Sequence, residues 1–147
     1  MSLLAKLYPA SFSDPNGLGL RESVGLLVLR VAAGVAMAMH GAGKIVNPFG
    51  WAGDRFPAPA QAIAAVSEFF GGICLAAGFL TPVAALGVAS TMLVAAYTHV
   101  AQGQPYVGKG GSWELAGVHG AIALMLGLVG PGRLSVDHAL FAKRLRK

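Results

Sequence analysis

From Phe69 to Gly108 the chain contains no Asp, Glu, Lys or Arg. A soluble domain needs charge to cover its surface, whereas a lipid bilayer demands the opposite. A hydrocarbon core about 30 Å thick is crossed by about 20 apolar helical residues, so this run is long enough for two crossings and must be divided. Thr81-Pro82 is the dividing point, because proline sits without penalty in the first turn of a helix. Two further apolar stretches flank the run, and the predicted spans are 23–43, 60–80, 82–101 and 113–130. The expected fold class is all-α, a transmembrane four-helix bundle whose second and third helices form a tight antiparallel hairpin. Composition agrees: 55% of residues are apolar and 12% charged, against roughly 25% charged in an average soluble domain. Mean hydropathy is +0.64. The same values exclude a disordered chain, which is polar and charge-rich. With 147 residues, a single membrane domain over 1–147 is expected.

Lone Cys74 lies inside an apolar stretch, so neither an internal disulfide nor a cysteine-based metal site is expected. The formal charge of +5 does not point to nucleic acid. Its C-terminal part, Lys143, Arg144, Arg146 and Lys147, follows apolar runs and suits attraction to anionic lipid. The first 22 residues hold Pro9, Asp14, Pro15 and Gly17 and do not read as a cleavable signal peptide. Leu3, Leu4, Leu7, Tyr8 and Phe12 are expected along the membrane surface. The connection 44–59, with Pro48, Trp51, Pro57 and Pro59, reads as a structured loop, and 102–112 as a Gly-rich one ending at Trp113. Seven Lys and Arg residues lie on the side that carries both termini and three on the other, which predicts cytoplasmic termini and outward-facing long loops. Ser135 is expected to cap a last short helix with Asp137 in its first turn. That helix opposes Leu140, Phe141 and Leu145 to its basic residues and is expected on the membrane surface.

A charged side chain at mid-bilayer costs about 2.5–3.5 kcal/mol on insertion scales, so those retained inside the spans mark either a site or a structural lock. In the first span Arg30, Gly34, Met37, Gly41 and Lys44 fall within about 40° of one line, with His40 beside it. The two glycines there admit a neighbouring helix. Glu68 stands in the second span beside Gly71 and Gly72, His99 ends the third, and Glu114 and His119 begin the fourth. At 1.5 Å per residue, Glu68 is roughly 12 Å below the outer boundary and Arg30 roughly 20 Å, while His40, His99, Glu114 and His119 lie within roughly 10 Å. The polar groups thus collect in the outer half of the bundle. The preferred partner for Arg30 is Glu68, its long side chain extending upward.

Each of these residues also has a purely structural reading. Arg30 and Glu68 would fix helix register as a buried pair, Lys44 would snorkel to the interface, and His99 would bond a carbonyl near its helix end. His119 points about 140° from Glu114 on a regular helix, so the two cannot face one cavity. Cys74, Met37, Met39 and Met92 read as packing. His40 and His99 as axial ligands of haem b, or copper held by His and Met, are alternatives that rank below an organic cofactor for want of any local motif.

Together these residues resemble the DoxX family of small four-helix membrane proteins. The resemblance runs from about Leu26 to Asp137. It rests on Leu29-Arg30 with His40-Gly41-Ala42-Gly43-Lys44, on Glu68 with Phe69-Phe70-Gly71-Gly72, and on Gly78-Phe79-Leu80-Thr81-Pro82. His99, Glu114 and the closing Gly130-Pro131-Gly132-Arg133-Leu134-Ser135-Val136-Asp137 complete it. The resemblance implies respiratory, sulfur-linked or thiol-linked redox chemistry at the membrane, in some members as a subunit of a quinone-reducing complex. With one cysteine, this chain cannot exchange thiols by its own residues.

Two functions follow. In the first, an outer cavity binds a quinone headgroup: Arg30 and Lys44 are the cofactor-binding candidates, aided by His40 against the negative oxygen of a reduced form. Glu68, His99, Glu114 and His40 are the catalytic candidates that exchange protons with the outer aqueous side. In the second, the bundle is a non-catalytic anchor for a soluble oxidoreductase, and loops 44–59 and 102–112 are its docking surface. The lipid bilayer is a partner in both, and a homo-oligomer is compatible with either. A channel or transporter ranks third, since polar groups confined to one half make no continuous path.

Overall fold

A computed structural model of the chain describes Tyr8 and residues 18–145, from 142 onward by backbone alone. Regular structure among the described residues is entirely helical. It comprises α1 (Leu20–Val46), one 3₁₀ turn (Gly53–Arg55), α2 (Ala58–Ala77), α3 (Thr81–Ala101), α4 (Glu114–Val129) and α5 (Val136–Leu145). α1, α2 and α3 are long and apolar enough to cross a membrane. α4 is as apolar but has 16 residues, about 24 Å at 1.5 Å per residue, because the Gly130-Pro131-Gly132 segment ends it. Large apolar side chains point away from the bundle on every one of these helices, among them Val28, Ile63, Leu93 and Leu128. Such a surface suits lipid and not water.

The helices pack in chain order. α1 lies most extensively on α2, α3 on α4, and the α2–α3 hairpin joins the two pairs. α1 and α2 meet backbone to backbone: a Cβ on Gly34 would stand 2.5 Å from the Ala76 nitrogen, and one on Gly72 2.5 Å from the Ala38 nitrogen. Met37, Leu75, Val88, Met92 and Leu126 fill the centre. Met39, in contrast to Met37 and Met92, is 74% exposed on the lipid side. Cys74 packs against the core, as expected of it.

The hairpin turn is tighter than the expected span 60–80 allowed. Gly78 adopts a left-handed conformation (φ +67), the Gly78 N–H donates to the Leu75 carbonyl (3.1 Å), and the Phe79 N–H donates to that of Cys74 (2.8 Å). This is a Schellman ending. Leu80 follows, left-handed as well (φ +46), a conformation that costs a residue with a side chain roughly 1–2 kcal/mol. It is held by Asp137. That buried carboxylate accepts the Leu80 N–H at 2.7 Å and the Thr81 N–H at 2.9 Å, and the Asp137 N–H donates back to the Gly78 carbonyl at 2.8 Å. Ser135 caps α5 by accepting the His138 N–H at 3.1 Å, as its sequence position predicts. Asp137 serves the start of α3 and not only its own helix.

Arg30 completes this clasp. It is 1% exposed, donates through Nη2 to the Leu134 carbonyl, and is attracted by Asp137. The expected Arg30–Glu68 pair does not form. Gly78 lies directly against Arg30 Nη1, so the guanidinium is directed to the hairpin end, where backbone carbonyls and a carboxylate are within reach. Tyr8 is buried, with its ring 6.2 Å from that of Phe141. Burial and the neighbouring Asp137 carboxylate raise its phenol pKa well above the usual value. Leu3, Lys6, Leu7, Phe12, Arg146 and Lys147 lie outside the described residues, as do the side chains of Lys143 and Arg144.

Replacing Asp137 by Ala strips two N–H groups of their acceptor and leaves Arg30 without its counter-charge. We expect Asp137→Ala to lower stability by about 3–5 kcal/mol, read as the denaturation midpoint in detergent. An unchanged midpoint would refute the clasp.

Candidate functional site

At the end of the bundle opposite the hairpin, α2 and α3 flank a cavity of about 370 Å³. On α2 the wall is Ala60, Gln61, Ala64 and Glu68, and on α3 it is Thr91, Ala95, Thr98 and Gln102. Spacings of three, four and seven place each set on a single helix face. The cavity is covered by the loop after α1, through Trp51, Arg55 and Phe56.

Gln61 holds that cover. It is 2% exposed and its amide is fully used: Oε1 accepts the Ala52 N–H at 2.7 Å, while Nε2 donates to the carbonyls of Gly53 (2.7 Å) and Phe56 (2.8 Å). The Trp51 indole N–H donates to the Gln61 carbonyl at 2.9 Å. A polar residue one turn into a helix gives no sign in sequence that it is a loop anchor, so Gln61 escaped the reading above, as did Arg55.

Glu68 lies at the deep end of the cavity, 2% exposed. Lys44 Nζ donates to its Oε1 at 2.6 Å and stands 4.4 Å from the centre of the Trp51 ring, in cation–π contact. Lys44 reaches Glu68 because Gly41, one turn earlier, rests on the backbone of Phe69 with no space for a Cβ. The second carboxylate oxygen, Oε2, is buried without a hydrogen-bond partner among the described residues. Leaving such an oxygen unpaired in a dry interior costs about 1–3 kcal/mol or more.

His99 lines the same cavity nearer its loop end. Its Nδ1 bonds Gln104 Oε1, and the Gln104 amide is oriented by Nε2 donating to Gln102 Oε1 at 3.2 Å. The Nδ1 position therefore carries the hydrogen, and in the neutral ring Nε2 keeps its lone pair. Lys44, Glu68 and His99 are thus brought to one cavity.

The other three sequence candidates are not among its walls. Arg30 belongs to the hairpin clasp. His40 is exposed on α1, and Glu114 is exposed in the first turn of α4, where its N–H bonds the Tyr106 carbonyl at 3.0 Å. Helix rotation explains the discrepancy for His40: α1 buries Met37 and Gly41, and His40, about 60° and 100° around the helix from them, falls on its exposed flank. His40, the other half of the axial pair considered for haem, is not among the residues that line the cavity with His99. Nor do three His, Cys, Asp or Glu side chains converge on one point among the described residues. His119 bonds the Leu115 carbonyl of its own helix at 2.9 Å.

The arrangement offers a cation, a carboxylate with one unsatisfied oxygen and an imidazole lone pair, along an otherwise mostly apolar space. Such a set offers one charge-assisted hydrogen-bond donor and two acceptors. The DoxX family model matches residues 25–101, an interval that contains Lys44, Glu68 and His99 but neither Glu114 nor Asp137. Comparison with curated proteins and with solved structures finds no match.

Removing the anchor of the cover tests its construction. Gln61→Leu retains bulk but loses three hydrogen bonds to the loop. We expect a red shift of Trp51 emission and stability lowered by about 1–3 kcal/mol, whereas emission identical to the parent protein would show that the cover holds without it.

Proposed function

The chain belongs to the DoxX family and has apolar helices able to cross a membrane. From that premise we propose that it is a quinone-linked redox protein of the bacterial inner membrane. In this reading residues 1–147 are one membrane domain with both termini cytoplasmic, α5 lies on the membrane surface, and the cavity opens toward the outer side. The Lys and Arg asymmetry supports that orientation. One observation carries the functional reading: a half-buried Lys44 paired with a buried Glu68 whose second carboxylate oxygen has no partner among the described residues, at the deep end of a largely apolar cavity.

A bound quinone supplies two-electron chemistry coupled to two protons. Lys44 Nζ donates a charge-assisted hydrogen bond to a ring oxygen and stabilises negative charge on it. Glu68 holds or accepts a proton at Oε2. Nε2 of His99 exchanges protons with water at the loop end, its ring fixed by Gln104. Electrons come from a partner protein or a small donor.

A second reading has its own support. The ion pair that lines the cavity also joins α1 to α2, which is what a non-catalytic anchor for a soluble oxidoreductase requires. Loops 44–59 and 102–112 are then the docking surface.

Titrating a short-chain benzoquinone into detergent-purified protein separates the two. We expect saturable quenching of Trp51, at least about tenfold weaker in affinity for Glu68→Gln, the loss expected for a hydrogen bond to a charged group. Quenching equal to that of free tryptophan would remove the quinone site and leave the anchor.

A further inference from the structure

The α2–α3 hairpin is closed near its turn and diverges toward the loop end. A Cβ on Gly71 would stand 3.2 Å from Val88 Cγ2, and one on Gly87 3.0 Å from Ser67 Oγ. Beyond these contacts the two helices flank the cavity instead of each other, through Ala60, Ile63 and Ala64 on one side and Thr91, Val94 and Ala95 on the other. Ile63 and Val94 are 66% and 53% exposed on this flank, within the membrane-crossing stretches of both helices. The cavity is therefore edged on this flank by exposed apolar side chains, and in a bilayer molecules dissolved in the hydrocarbon would reach it from there.

Besides Arg55, Ser90, His99 and Gln102 along the walls, few polar atoms remain for an occupant. Thr91 and Thr98 donate their hydroxyl hydrogens to the carbonyls of Gly87 (3.0 Å) and Val94 (2.8 Å), so toward the cavity they present lone pairs only. Both ends of the Gln61 amide are used by the cover. At the deep end, Glu68 Oε2 lacks a donor and Lys44 keeps ammonium hydrogens beyond the one given to Glu68. A hydroxyl matches this pair in both directions, donating to Oε2 and accepting from Nζ. A carbonyl or an ether can only accept. The Trp51 ring over Lys44 and the nearby Phe56 favour a flat aromatic head, and about 370 Å³ is at the small end of ligand cavities.

We infer that the cavity takes an aromatic alcohol from the bilayer and holds its hydroxyl on the Lys44–Glu68 pair. This rests on the quinone-site reading and narrows it to the hydroxyl-bearing head as the form the site is built to hold.

The test is titration calorimetry on the full chain in lipid nanodiscs, with empty nanodiscs as blank. The probes are para-butylphenol, its methyl ether and n-octanol. The phenol should bind at least about tenfold more tightly than either of the others, the scale of one hydrogen bond to a charged group. The ratio of phenol to ether should fall toward one in Glu68→Leu. The comparison on the parent protein requires no variant to fold. Equal affinities for phenol and ether, or binding of none of the three, would overturn the hydroxyl assignment, and octanol binding as well as the phenol would overturn the aromatic head. If benzoquinone quenches Trp51 while phenol and ether bind alike, the quinone site stands and this inference fails. A preference for phenol without quinone quenching removes the quinone and leaves the hydroxyl site.

Discussion

The backbone approach of α1 to α2 determines where the remaining parts lie. Lipid tails are as apolar as leucine, so the hydrophobic effect does not press membrane helices together, and close van der Waals packing must do so. Gly34, Gly41 and Gly72 supply it by leaving no side chain between the two backbones. Any larger residue there would separate the helices, and a wider gap would draw Lys44 away from Glu68 and Arg30 away from the hairpin. The same contact fixes the rotation of α1, which turns Met37 inward and leaves His40 and Met39 outside.

Two polar clusters result, one at each end of the bundle, and they differ in what surrounds their unsatisfied atoms. At the hairpin, Arg30 Nε and Nη1 and Thr81 Oγ1 lack hydrogen-bond partners among the described residues. There the backbone of Gly78 closes directly on the guanidinium, and neither Arg30 nor Thr81 lines the cavity. That cluster secures the fold. At the loop end, Glu68, whose Oε2 is unpartnered among the described residues, is one of the residues that line the cavity. An orphan atom without space is a cost of folding, whereas one with space is a place for something else. The distinction lies in packing and not in residue type, since both clusters are built from one cation and one carboxylate.

This explains which parts were legible in the sequence. Helix number, the hairpin at Thr81-Pro82 and the cap at Ser135 follow from apolar length and turn chemistry, both of which are local. Glycine spacing on α1 correctly marked the face that meets α2. The pairing of charges did not follow, because depth along separate helices says nothing about which loops fold back between them. Asp137 read as a dipole partner for its own helix, while its carboxylate serves residues 56 and 57 positions away. Arg30 consequently went to the wrong acid. Gln61 and the cover it holds were invisible for a similar reason, as four hydrogen bonds to one loop leave no periodic trace.

The Asp137 clasp also has a consequence in time. A membrane protein is made from its N-terminus, so α2 and α3 are synthesised well before the residue that satisfies the turn between them. Until then the N–H groups of Leu80 and Thr81 lack the acceptor that Asp137 supplies, and the turn gains these hydrogen bonds only when α5 is in place. A chain that ends before residue 137 would carry all four apolar helices and still lack the acceptor of the turn between α2 and α3.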